Sequence, residues 1–140
     1  MALGTFVSVE ADFPTWGMPP GRELAGFISS VLTRAAIPHS APEELKGWAW
    51  TIRSQSGHTR IESIIGFSDD GPRQWQIHTY GYLGILDRLL RRGAADPEAL
   101  RGFCEAIDRA IKSDGRFRTI RWYEQETYET DFGDTWDDAP

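Results

Sequence analysis

The side chains of this chain that could do chemistry are few: one cysteine, three histidines and a dense group of acids near the C-terminus. Cys104 stands between Phe103 and Ile107 in what reads as a helical apolar stripe, so it predicts a buried structural thiol rather than a nucleophile, which needs exposure and a lowered pKa. His39, His58 and His78 show no metal-ligand spacing. The acids Asp131, Asp134, Asp137 and Asp138 invite a Ca²⁺ reading, but their spacing misses the alternate positions and central glycine of an EF-hand loop. Gly81-Tyr82-Leu83-Gly84 is too short for a phosphate cradle, and no serine sits in a nucleophile elbow. No cofactor and no metal are expected.

One constellation remains. Arg53, Arg60, Glu62, His78, Tyr80, Arg121 and Tyr123 fall at strand positions that face away from the predicted apolar side. Arg53, Glu62, His78, Tyr80 and Arg121 would together make an anion-binding surface, or allow acid–base work through His78 and Glu62. The bland alternative is a solvated sheet face with cross-strand ion pairs, and that reading is preferred because nothing in the spacing demands chemistry.

The elements that must position these groups read clearly in outline. Residues 4–10 are β-branched and alternating, as in a strand. Pro14, Gly17, Pro19, Pro20 and Gly21 force a loop around Trp16. From Arg22 to Ala36 the apolar residues recur with helical period. Three strands follow at 48–53, 59–67 and 73–80, separated by turn-forming Ser56-Gly57-His58 and Ser68-Asp69-Asp70-Gly71-Pro72, which predicts an antiparallel meander. Trp48, Trp50 and Ile52 are placed on one face, as are Ile61, Ile65 and Phe67, and Trp75 and Ile77. Leu83, Leu86, Leu89 and Leu90 predict a short helix closed by Gly93. Asp96-Pro97 opens another, with Leu100, Phe103, Cys104, Ile107 and Ile111 inward and Glu105–Arg109 and Asp108–Lys112 as outer i,i+4 pairs. A last strand spans 116–123. The order β-α-β-β-β-α-α-β predicts an α+β two-layer sandwich, an antiparallel sheet of about four to five strands with helices on one face.

Composition bounds the rest. The 140 residues fit one domain, 1–140, with an acidic aromatic C-terminal segment at 122–140. No apolar run approaches the roughly 18 residues of a membrane span, Met1 to Glu10 lacks a secretory pattern, and one cysteine fits a reducing compartment. A cytoplasmic protein is expected, without membrane contact. Residues 1–121 hold 15 basic and 14 acidic side chains, yet the whole chain carries −6. The last nineteen residues have seven acids, five aromatics and no base. An idle disordered tail should be poor in aromatics. Charge joined to rings suits docking on a basic protein, which makes Glu124, Glu126, Tyr128, Glu129, Asp131, Asp134, Trp136, Asp137 and Asp138 the candidate partner-binding residues. Nucleic acid is not expected as a partner, because here the aromatics travel with acids.

In size, acidity, single-domain α+β build and lack of catalytic motifs, the chain looks like the immunity proteins that neutralise bacterial toxins. The helix-then-strand segment from Leu100 to Trp122, ending Ile120-Arg121-Trp122, is the most suggestive piece. The resemblance is to a class, and it carries over no binding residue. It implies a non-catalytic bacterial protein that covers or distorts a basic toxin. Two other readings stand beside it: a small-molecule-binding or enzymatic domain using the polar sheet face, and an assembly protein whose aromatic tail docks on a neighbouring subunit.

Overall fold

The computed structural model describes residues 4–17, 19–68, 75–90 and 95–124. In chain order these form β1 (Phe6–Ala11), α1 (Arg22–Arg34), β2 (Glu43–Leu45), β3 (Ala49–Ser56), β4 (Thr59–Phe67), β5 (Trp75–Leu83), α2 (Ile85–Leu89), α3 (Pro97–Ser113) and β6 (Phe117–Tyr123). The strands make one open antiparallel sheet, ordered β2-β3-β4-β5-β1-β6. The two long helices, α1 and α3, pack on each other and against one face of it.

The α+β sandwich and the β3-β4-β5 meander are as the sequence predicts, but the sheet has six strands rather than four to five. The extra one is β2, whose three residues Glu43-Glu44-Leu45 offer neither alternation nor β-branching. It forms because Lys46 and Gly47 both take left-handed φ, 51° and 78°, and Trp48 N–H closes the turn on Leu45 O at 3.2 Å. Two left-handed residues give the turn a twist that matches paired strands. A short edge strand bearing two glutamates also resists further pairing.

The helices form for the predicted reasons. Leu24, Ala25, Ile28, Val31 and Leu32 are buried along one stripe of α1. Each such Leu or Ile contributes about 1.5–3 kcal/mol when taken out of water. Gly21 at the N-cap has φ 116°, and a Cβ there would meet Trp75 at 3.2 Å and Trp50 at 3.4 Å, so only glycine passes. At the other end Ala36 N–H bonds Thr33 O and Ile37 N–H bonds Leu32 O, a Schellman closure with Ala36 at φ 58° where glycine is usual. The Asp96 carboxylate accepts from Glu98 N–H at 3.0 Å and Pro97 follows, opening α3 as expected.

Three packing expectations change. Trp48 belongs to the turn before β3 and is 58% exposed, so it is not core, whereas Trp75 is fully buried and Trp50 partly so. Asp108 is not on the wet side of α3: it is buried, accepts from Trp122 Nε1–H at 2.8 Å and pairs with Lys112 at 3.0 Å, tying α3 to β6. The sheet face away from the helices is only half solvated. Phe6, Ser8, Ala49, Thr51 and Tyr123 on it are buried, with rings packing around Phe6.

Candidate binding surfaces

The pairing register brings the five polar candidates onto one face. Glu62 stands opposite both Arg53 and Tyr80, His78 lies between Ile64 and Phe6, and Arg121 faces Ser8 across the β1–β6 pair. Arg53 Nε donates to Glu62 at 3.0 Å and Arg53 also pairs with Glu43 at 3.5 Å. The hydrogen bond and charge of Glu62 raise the Arg53 pKa. Glu62 and His78 are diagonal, and the Glu62 carboxylate is already engaged by a guanidinium. His78 stacks flat on Phe6, centroids 4.0 Å apart and planes 3° apart, while Tyr80 meets Phe6 edge-on at 5.2 Å. Burial pulls the His78 pKa down to about 4, so the imidazole is neutral at physiological pH. These groups hold the sheet together, and general acid–base work asks for a titrating group facing its partner.

Of the candidate partner-binding acids and rings, Glu124 is exposed. Glu126, Tyr128, Glu129, Asp131, Asp134, Trp136, Asp137 and Asp138 lie outside the described residues. The first two rings of the acidic aromatic segment are accounted for differently. Trp122 and Tyr123 are the last residues of β6 and are both 1% exposed, so they are core.

Cys104 and His39 are structural, and His58 is exposed in the β3–β4 turn. Cys104 is fully buried, and burial pushes its thiol up to about 12 against a smaller lowering by Thr79. His39 is pinned between Ile37 O at 2.8 Å and Ser29 Oγ at 2.9 Å. Among the described residues no group of three His, Cys, Asp or Glu side chains could hold a metal, and no helix is long and apolar enough to cross a membrane.

Two surface features escaped the sequence reading. The first is α2. Leu83 ends β5 and is buried, but Ile85, Leu86, Leu89 and Leu90 are 53–75% exposed. Monomers rarely leave such a contiguous apolar ridge in water. It is flanked by exposed Arg88 and by Arg60, whose guanidinium lies 2.8 Å from where a Cβ on Gly84 would be. The leucine spacing is visible in the sequence; the exposure of these side chains is not, because α2 is only five residues long and too short to show which face it buries. The second is a cavity of about 290 Å³ between the Trp16 loop and the β2–β3 edge. Its walls come from three separate stretches of chain, so no local spacing announces it.

Compared with protein families, characterised proteins and solved structures, the chain shows no match.

Proposed function

We propose that this is a non-catalytic, cytoplasmic bacterial protein of the immunity type, which acts by occupying a basic protein partner such as a toxin. The observation that carries this reading is the segregation of charge: seven acids and five aromatics without a base in the last nineteen residues, beside a nearly neutral body. The acids supply long-range attraction, which raises association rates and makes them salt-sensitive. Two of the five rings serve β6, leaving Tyr128, Phe132 and Trp136 for a partner. The exposed acids Glu44 and Glu124 add to the same sign. Against an enzymatic use of the sheet face stand the Arg53–Glu62 pair and the neutral, stacked His78.

The test is capture from native lysate at low salt, followed by binding kinetics with the captured protein. Since β6 ends at Tyr123, removing residues 125–140 spares every described element and leaves Glu124 in place. It should slow association and flatten the salt dependence. Captured partners that are acidic, or binding unchanged by the deletion, would overturn the proposal.

The α2 ridge favours a second reading, the assembly protein. Four exposed aliphatics beside Arg60 and Arg88 complement an acidic segment carrying Tyr128, Phe132 and Trp136, so the occupant would be that segment of a second copy. Mass that rises with concentration, and falls back to monomer in Leu86→Glu, would support it.

A further inference from the structure

Resting on the reading of a basic partner, we infer that the cavity between Trp16, Trp50, Glu23 and Glu44 is a receptor for one arginine or lysine side chain of that partner.

The cavity is built rather than incidental. Trp50 Nε1–H donates to Pro19 O at 3.1 Å, which fixes the indole and ties it to the backbone just before α1. Gly21 then lets the chain pass close to Trp50 and enter α1. Across the β2–β3 pair Glu44 stands directly opposite Trp50, so a carboxylate and an indole share one wall. Glu44 is exposed and has no ion-pair partner among the described residues, whereas its neighbour Glu43 pairs with Arg53. Trp16 closes the rim with 78% of its surface in water. Trp16, left so exposed beside a second indole held by its N–H, gives a guest aromatic surface on two sides of the chain's path.

Charge decides which guest. Two carboxylates, Glu23 and Glu44, line the cavity with one guanidinium, Arg22; Arg116, which also acts on Glu23, is neutralised by its own pair with Asp114. The positive end of the α1 dipole adds about half a charge, and the balance still stays negative. Indole faces attract cations through their quadrupole, most strongly when water is excluded, and a carboxylate forms a charge-assisted hydrogen bond with a guanidinium or ammonium. About 290 Å³ is small beside the roughly 300–1,000 Å³ of sites for whole drug-sized ligands. It suits a single long side chain.

The test uses small probes, so it does not depend on finding the partner. N-acetyl-arginine amide is titrated into the full chain while the indole N–H signals are followed by NMR, with N-acetyl-citrulline amide as its uncharged isostere. The expected result is a saturable shift of the Trp16 and Trp50 signals with arginine and none with citrulline. Affinity should fall about tenfold in Glu44→Gln and in Trp16→Ala, as loss of one charged or stacking contact implies. Both positions are exposed, so the variants should fold, and unchanged shifts elsewhere verify that they do. Equal shifts with citrulline would make the cavity an apolar slot, such as one for a proline-rich segment, and overturn the inference. So would no shift at all. If arginine titrates as expected but lysate capture returns no basic protein, the cavity stands and only the functional reading falls. If residues 125–140 matter to a basic partner while no probe binds, the reverse holds.

Discussion

Lowering the pH should weaken this fold through His78, well before the carboxylates titrate. His78 is partly buried against Phe6, and burial takes its pKa from 6.5 to about 4. Between those values the unfolded chain binds a proton that the folded state excludes. Stability is therefore complete above about pH 6.5 and is lost as the pH falls toward 4. With those two pKa values the loss at pH 5 is about 2 kcal/mol, approaching about 3 kcal/mol below pH 4, at 1.36 kcal/mol per unit. That is a large share of the about 5–15 kcal/mol that holds a typical domain. The Phe6 stack works in the other direction, because an imidazolium on a ring face gains about 0.5–2 kcal/mol of cation–π attraction.

The assay is urea unfolding at pH 7.5, 6 and 5, for the parent and for His78→Gln. Acids common to both proteins cancel in the difference between the two curves, and so do His39 and His58. The parent should lose about 2 kcal/mol more than the variant between pH 7.5 and 5. A direct reading comes from the His78 ring-proton shift, whose midpoint should lie near 4. A midpoint between 4 and 6.5 would size the attraction of Phe6. Parallel stability curves, or a midpoint at 6.5 or above, would refute the claim that burial governs this imidazole.

Four further outcomes are expected. Cys104 should resist thiol reagents in the native protein, because burial holds its pKa up to about 12, and Cys104→Ala should cost about 1 kcal/mol, as a small cavity does. Ala36→Gly should raise thermal stability by about 0.5–1 kcal/mol, since glycine relieves the left-handed strain at φ 58°. Asp108→Ala should cost about 1–3 kcal/mol in denaturant unfolding by stranding the buried Trp122 N–H, whereas Lys112→Ala should cost less than about 1 kcal/mol, its side chain being 40% exposed. Trp75→Ala should cost about 3–5 kcal/mol, and Trp48→Ala should stay within about 0.5 kcal/mol, because one indole is core and the other is a turn residue.

How far this was legible from residue order depends on which half of the sheet is considered. Along β3, β4 and β5 the period-2 pattern works: Ile52, Ile61, Ile65, Trp75 and Ile77 face the helices and Arg53, Arg60 and Glu62 do not. The pattern misplaces Trp48 because parity says nothing about where a strand begins, and the Lys46-Gly47 turn takes that residue first. It misses β2 because three residues cannot show a period. Across β1 and β6 the alternation was the wrong template. Phe6 and Val7 are adjacent and both apolar, as are Trp122 and Tyr123, and neighbours in a strand point to opposite faces. Such pairs require both faces of β1 and β6 to be dry, and all four side chains are buried. The sheet face away from the helices is thus two surfaces, a wet one bearing Arg53, Arg60 and Glu62 and a dry one centred on Phe6. His78 sits on the boundary between them, which is why it reads from sequence as a solvent-facing side chain and behaves in the fold as a packed ring. The α2 ridge and the Trp16 cavity are illegible for a different reason. Each depends on what fails to cover a side chain, and cover is set by residues far away in the chain.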